Sequence, residues 1–361
     1  FGKVSMCGIC GEWRFDGRAP EAATLSRMNE KLARRGPDDE GVFISGPMGF
    51  GHRRLSVIDL SDRSHQPMVD EELGLSLVFN GAIYNYRELR AELIDAGYSF
   101  FSEGDTEVII KAFHYWGEAC VKHLHGMFAF AIWSEKSQSL FMVRDRLGIK
   151  PFYYSFTGNS GTKNTFRFAS NIQALLAAGD VDTDINPVGL HHQLTLHAVI
   201  PAPHTILKGV SKLAPGHTMT IGRDAAQHQI EQKQYWHLSA TRPAEPKHEI
   251  EWTQLIHDAL RKAVERRLSV ADVPVGVLLS GGLDSSLLVG LLAEAGVKDL
   301  RTFSIGFEDI GSEAGSEFEY SDAVVERVDT HHRKIDIPNA GVVPHVPDAV
   351  CNLTAPLVGQ E

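Results

Sequence analysis

The sequence predicts two domains, an α+β domain in residues 6–238 and an α/β domain in residues 251–361, joined by a linker over 239–250. Three observations carry this division. Short alternating apolar stretches and helical patterns fill the first part. A stretch rich in Pro, Ala and charge, Ser239 to His248, then interrupts the periodicity. Beyond it, the loop Ser280-Gly281-Gly282-Leu283-Asp284-Ser285-Ser286 separates an apolar run from a helical pattern, as a parallel strand, turn and helix would.

Composition bounds the function. The 361 residues are 43% hydrophobic and 22% charged, which describes a globular chain with a full core. A formal charge of −11 argues against non-specific nucleic-acid binding. No run approaches the ~18 apolar residues of a membrane span, and no secretory signal opens the chain. Four cysteines do not suggest a disulfide scaffold and fit a reducing, cytoplasmic location. No internal repeat is visible.

Residues 1–5 read as a foreign extension before a natural start at Met6. Cys7-Gly8-Ile9-Cys10 has a spacing used for metal or redox chemistry, but Cys120 and Cys351 are isolated, so a zinc site lacks its second ligand pair. Removal of Met6 would instead leave Cys7 with thiol and α-amine on one carbon. An amine titrating near ~7.7–8.0 beside a thiol near ~8.5 gives a nucleophile with its own base.

Leu75 to Phe79 reads as a strand ending at Asn80-Gly81. Asn85 and Glu88 form a predicted capping box for a helix with Leu89 and Leu93 inward and Gly97 closing it. Glu103-Gly104-Asp105-Thr106 leads into a second helix carrying Val108, Ile109, Ala112, Phe113 and Trp116 to the core. Met127 to Trp133 and Leu140 to Val143 form a predicted hairpin, and 144–151 a charged turn stitched by its own ion pairs. His52, His65, His114, His123 and His125 read as packing or surface residues.

Several motifs occur in order: Met6-Cys7-Gly8-Ile9, Arg35-Gly36-Pro37-Asp38, Gly51-His52-Arg53-Arg54-Leu55, Asn80-Gly81-Ala82-Ile83-Tyr84-Asn85, Gly104-Asp105-Thr106-Glu107 and Arg144-Asp145-Arg146-Leu147-Gly148. Together they resemble the glutaminase domain of class II glutamine amidotransferases, N-terminal nucleophile hydrolases with an αββα sandwich. The resemblance implies that Cys7 attacks glutamine to form a glutamyl thioester and release ammonia. It implies Asn80 and the Gly81 N–H as oxyanion donors, and Arg54, Leu55, Asn80 and Asp105 as the glutamine site, with Arg54 on the α-carboxylate and Asp105 on the α-ammonium. Ala82 stands where many relatives have Glu, so Asp105 or a backbone carbonyl takes more of that recognition. The readings not tied to glutamine are a turn for Asn80, a surface ion pair for Arg54 and a helix N-cap for Asp105.

In the second domain a helix from Glu251 to Leu268 places Leu255, Ile256, Ala259, Leu260, Ala263 and Val264 inward. Val275 and Val277 to Leu279 suit a buried parallel strand, and Leu287, Leu288, Leu291, Leu292 and Ala295 a helix capped by Gly296. The loop between them has no Lys after its glycines and is not a Walker A element. It resembles the pyrophosphate loop of the ATP pyrophosphatase superfamily, an adenine nucleotide alpha hydrolase-like fold. The two halves together are similar to asparagine synthetase.

That likeness implies ATP and Mg²⁺, with Ser280, Gly281, Gly282, Asp284 and Ser285 at the phosphates, Asp284 at the metal, and Leu278 and Ile305 near the nucleoside. The stretch His191 to Pro203 and Glu313 to Phe318 narrow the likeness to bacterial N-acetylglutaminylglutamine amidotransferases. The acceptor is then the C-terminal carboxylate of the acetylated dipeptide. The alternatives are aspartate, as in asparagine synthetase proper, or a non-catalytic relative. A homodimer is one open arrangement. The synthetase domain is expected to be truncated, as a fragment or a shortened paralogue. A later acidic Ser-Gly-x-Gly-x-Asp-Glu segment is absent, and Thr354-Ala355-Pro356-Leu357 has Ala where relatives have Glu.

Overall fold

Aromatic and β-branched residues on alternate positions build two six-stranded antiparallel sheets in the first unit. The computed structural model describes residues 6–158, 164–197, 199–222, 230–242, 245–309 and 315–350. Residues 1–5, Ala198, Glu313-Ala314, Cys351 and Thr354 to Leu357 therefore lie outside the described residues. The chain divides into two compact units, one running to Leu238 and the other Ser239–Val350.

The first unit runs β1 (Gly8–Arg14), α1 (Ala22–Glu30), β2 (Asp39–Ser45), β3 (Met48–Arg54), β4 (Met68–Asp70), β5 (Leu75–Ile83), α2 (Tyr86–Asp95), α3 (Asp105–Trp116), β6 (Gly126–Ser134) and β7 (Ser139–Arg144). It continues with β8 (Tyr153–Thr157), β9 (Thr165–Ala169), α4 (Ile172–Leu176), α5 (Pro187–Thr195), β10 (Ser211–Lys212), β11 (His217–Ile221) and β12 (Ile230–Gln234). One sheet has the order β10-β8-β9-β1-β3-β2, the other β12-β11-β7-β6-β5-β4.

The sheets pack face to face. Ile9, Trp13, Phe50, Phe166 and Phe168 from the first meet Val78, Ala129, Trp133, Met142 and Met219 from the second in one buried core. Trp13 and Trp133 touch edge to face at 4.9 Å. Because side chains alternate, the opposite faces bury a second layer. Cys10 packs under Met28 and Leu32 beside α4, and Phe113 of α3 stacks on Phe141 at 5.1 Å. The result is the αββα sandwich.

Several local expectations are corrected. Strand β5 does not stop at Phe79. It stays paired with β6 through Asn80↔Ala129, Gly81↔Phe128 and Ile83↔Gly126. Asn85 sits at the N-cap of α2 but makes no cap hydrogen bond. Its amide bridges His123 O and His125 N instead, at 3.0 and 2.9 Å, so the capping box does not form. The turn after β7 is held by charged groups on backbone, not by ion pairs. Arg144 donates to the carbonyls of Gly148, Lys150 and Leu213, and Asp145 accepts from the N–H of Phe128, Leu147, Ile149 and Lys150.

The second unit runs α6 (Glu249–Val270), β13 (Gly276–Leu278), α7 (Leu283–Glu294), β14 (Arg301–Phe307), α8 (Phe318–Val325), β15 (His331–Ile337) and α9 (Asn339–Val350). Its three strands are parallel in the order β13-β14-β15. Helix α6 starts two residues before the expected Glu251, where the Glu251 carboxylate accepts the His248 N–H at 2.8 Å. Only Val264 of its predicted inner face is buried, whereas Leu255 and Ile256 are exposed. Among the described residues, the strand expected to be buried stands at the edge of its sheet. Leu279 is buried, yet Leu278 and Val275 are exposed, and Leu287 and Leu288 of α7 are half-open. Gly296, at φ +75°, follows the end of α7 as expected.

Phe168 stacks on Phe152 and meets Phe50 edge-on, fully buried between the sheets. Phe168→Ala is expected to destabilise the first unit by about 3–5 kcal/mol. The exposed Leu60→Ala should stay within ~0.5 kcal/mol. Urea unfolding followed by tryptophan fluorescence reads both, and equal midpoints would overturn the core assignment.

Candidate active site

A cavity of about 140 Å³ in the first unit gathers the glutaminase residues predicted from four separate stretches of sequence. Cys7, Arg54, Leu55, Asn80, Gly81 and Asp105 all line it, with Ala82 beside them. Met6, Val57, Ile58, Gln66, Phe79, Thr106, Met127 and Lys150 complete the wall.

Cys7 precedes β1, and its thiol faces the end of β3. The Leu55 N–H donates to Sγ at 3.3 Å, and Sγ lies 3.6 Å from Leu55 O. Burial pushes the thiol above its ordinary value, while the Leu55 N–H and the charges of Lys150 and Arg54 oppose that rise. Arg35 Nε donates to Cys7 O at 3.2 Å, fixing the chain there.

Asn80 is almost fully buried, and both polar atoms of its amide lack a hydrogen-bond partner. Its place in the strand is fixed on either side of Phe79. Phe79 N donates to Gln66 Oε1 at 2.7 Å, and Phe79 O lies 3.1 Å from His52 Nε2. Burial lowers His52 to about 3, so the ring is neutral and donates that bond. Ile83 N donates to Asp105 Oδ2 at 2.9 Å. Strand N–H groups two apart share an edge, so the Gly81 N–H between Phe79 and Ile83 points the same way. A Cβ on Gly81 would meet Met127 O at 2.2 Å, which explains why glycine stands there.

Arg54 is no surface pair. Its guanidinium is buried and donates to the carbonyls of Ile58, Asp59 and Ser61, shaping the loop after β3. Asp105 is no N-cap either. Gly104 caps α3, and Asp105 is its first residue, buried against β5. Burial pushes its carboxyl up to about 7, against the pull of Ile83 N–H and Arg54.

Cys10 is fully buried, and among the described residues no group of three or more His, Cys, Asp or Glu could hold a metal ion. The Cys7–Cys10 metal reading gains nothing from the fold. Sequence reasoning missed Gln66 and Lys150. Gln66 carries no motif, and Lys150 lay inside a turn read as self-contained.

In the second unit, the loop before α7 is shaped by Gly281 at φ +87°, where a Cβ would lie 2.4 Å from Tyr320 Cβ. Ser280 Oγ accepts the Gly282 N–H at 3.3 Å and lies 3.1 Å from Ser285 Oγ. Gly281 and Ser286 line an open cavity of about 420 Å³ with Tyr320 and Arg327, and the buried Ser286 hydroxyl has no partner. Asp284 lies exposed in the first turn of α7. Leu278 and Ile305 are 62% and 49% exposed. These residues fit a polyphosphate cradle, with backbone approach at the glycines and hydroxyls at the helix start.

A carboxyl raised to about 7 binds extra protons in the folded state from pH ~3.9 upward, so its contribution to stability falls as pH rises through that window. Asp105→Asn is therefore expected to melt above the parent at pH 8 and level with it near pH 4, by thermal scanning. Identical melting at both pH values would show that the carboxylate is not strained.

Residues 6–236 match the glutamine amidotransferase domain family, and residues 255–361 match asparagine synthase. Asparagine synthetase [glutamine-hydrolyzing] 3 of Bacillus subtilis is 35% identical over 359 residues, 96% of this chain and 56% of the relative. Putative asparagine synthetase [glutamine-hydrolyzing] 2 of Methanocaldococcus jannaschii is 37% identical over 326 residues, 84% of this chain and 60% of the relative. Among solved structures, a glutamine phosphoribosylpyrophosphate amidotransferase from B. subtilis aligns over 91% of this chain and 65% of its own, at 14% identity and TM-score 0.46. This chain spans little more than half the length of the curated relatives it matches. Through a match over well more than half its residues, the chain belongs to the glutamine amidotransferase family, and the stretch after that domain is similar to asparagine synthase.

Proposed function

We propose that this chain hydrolyses glutamine at Cys7 and binds ATP at the 280–286 loop, within a glutamine-dependent, AMP-forming amidotransferase. The observation that carries the reading is the Asn80 amide, buried without a partner in the wall of the cavity that holds the Cys7 thiol. An unsatisfied buried polar group costs about 1–3 kcal/mol, which a ligand oxygen would relieve.

With residues 1–6 removed, Cys7 Sγ attacks the side-chain carbonyl carbon of glutamine while the thiol proton passes to the α-amine. The oxygen becomes an oxyanion, met by Asn80 Nδ2–H and the Gly81 N–H. Collapse breaks the C–N bond, and the departing nitrogen takes the proton from the amine and leaves as ammonia. Water then hydrolyses the glutamyl thioester to glutamate. Arg54 takes the α-carboxylate with the N–H groups its loop carbonyls leave over, and Asp105 takes the α-ammonium. Ala82 supplies no carboxylate, which leaves that role to Asp105.

In the second unit, Ser280, Ser285 and the N–H groups at Gly281 and Gly282 would hold the pyrophosphate of ATP. Asp284 would reach it through Mg²⁺, and Leu278 and Ile305 would offer apolar contact to the nucleoside. ATP supplies activation of the acceptor carboxylate. The acceptor we favour is the C-terminal carboxylate of N-acetylglutaminylglutamine, on the stretches His191 to Pro203 and Glu313 to Phe318. Aspartate is the second reading, favoured by the names of the relatives. A reducing cytoplasm suits the free thiols of Cys7, Cys10 and Cys120.

Protein whose N-terminus is read as Cys7 by intact mass is expected to release glutamate from glutamine, and Cys7→Ala to release none. Asn80→Ala should lower kcat by about 10²–10³. Pyrophosphate release with the acetylated dipeptide against aspartate separates the two acceptors. Absence of glutamate release from correctly processed protein would favour a non-catalytic relative.

A further inference from the structure

Lys150 is the one group in the cavity wall with a full charge and no role in the reaction above. It is almost fully buried, and its ammonium donates to Met6 Sδ at 2.9 Å. No ion pair among the described residues includes it. The nearest acid on its own turn, Asp145, directs its carboxylate to four backbone N–H groups, of Phe128, Leu147, Ile149 and Lys150. Removal of the segment ending at Met6 exposes the Cys7 amine. Once it is gone, the acceptor facing the ammonium is gone too, and what remains at that end of the cavity is Cys7.

We infer that Lys150 is a positioning residue that holds the freed Cys7 α-amine neutral and the Cys7 sulfur ready to ionise. The inference rests on the glutaminase reading. A buried cation beside an amine disfavours its protonation, and the same cation beside a thiol favours the thiolate. Both effects push the pair toward the form that reacts. The proton moves from sulfur to α-amine as the C–S bond forms and from α-amine to the departing nitrogen as the C–N bond breaks, while Lys150 keeps its own.

The groups acting on this end of the cavity come from every wall. Arg35, in the turn after α1, donates to Cys7 O and adds a second positive charge. Arg54 at the end of β3 adds a third, bound to its loop carbonyls, and Asp105 at the start of α3 opposes them. Asp145 lies behind Lys150, and Tyr153 acts on Arg35. Burial also lowers Lys150 itself to about 8, which marks an ammonium without a carboxylate to hold it.

Lys150→Met keeps length and apolar volume and removes the charge. The acidic limb of the kcat/KM profile for glutamine is expected to move up by about one pH unit. Activity then falls roughly tenfold near pH 6.5 and approaches the parent near pH 9. Lys150→Arg should leave the limb in place. A purely structural role would lower activity by one factor at every pH, and that result overturns the inference. Lys150→Gln serves as a second neutral variant should Met fail to fold, judged by tryptophan fluorescence. Alkylation of Cys7 by iodoacetamide, followed by intact mass across pH, gives a readout independent of turnover. Its midpoint should rise in both neutral variants and stay in Lys150→Arg. Loss of glutaminase activity in the parent would sink the parent reading, and an unmoved alkylation midpoint would sink the role of Lys150.

Discussion

The candidate glutaminase site depends on an unpaired edge. Strand β5 is held on one side by β6 along its whole length, but on the other side β4 accompanies only Leu75, Ser76 and Leu77. Past Leu77 the outward N–H and C=O groups of β5 have no strand to meet among the described residues, and buried backbone groups must still be satisfied. Gln66 takes the N–H of Phe79, His52 its carbonyl, and Asp105 the N–H of Ile83. Gly81 lies between these clamps with its N–H on the same edge. A short partner strand thus leaves the Gly81 N–H on an open edge between two satisfied neighbours, with Asn80 projecting from the same stretch.

Charged side chains nearby act mainly on backbone. Arg54 binds carbonyls of the loop that follows it. Asp59 in that loop accepts from Ser61 N, Ser61 Oγ, Ser64 Oγ and Glu103 N. These bonds lower Asp59 to about 2 despite its burial, so it stays ionised and supports the fold above pH ~4, a contribution lost as pH falls toward 2. Charge-assisted bonds of this kind each contribute roughly 1.5–3 kcal/mol. Here they join the loop after β3 to the start of α3. Arg54 and Asp105, at the two ends of that connection, are therefore set in place by the protein's own bonds.

What the sequence disclosed follows from how far each contact reaches. Cys7, Arg54, Asn80, Gly81 and Asp105 carry motifs, and the fold brings them to one cavity. Helix and strand existence was legible from periodicity, as in α3 and the β6–β7 hairpin. Local chemistry was less legible where a distant group competed. Asn85 and Glu88 have capping-box spacing, but the 123–125 backbone claims the Asn85 amide. Arg144 and Asp145 suggest an ion pair, but each finds several backbone partners at once. Lys150 meets Met6 across 144 positions, a separation no local pattern spans. The inward face expected of α6 failed for another reason, since helical spacing marks an apolar stripe without saying what covers it.

The 280–286 loop of the second unit shows the same economy of means in a different geometry. Its shape comes from protein packing, because Gly281 lies against Tyr320 and any side chain there would displace α8. Its hydroxyls are already engaged, Ser280 Oγ with Ser285 Oγ and the Gly282 N–H, and Ser285 Oγ as donor to Gly282 O. An incoming phosphate would exchange those internal bonds for bonds to its own oxygens, with little rearrangement of backbone. Ser286 differs, as its buried hydroxyl has nothing to exchange. A ligand oxygen reaching Ser286 would satisfy a group now left without a partner, so the loop is formed in advance with one buried donor unsatisfied.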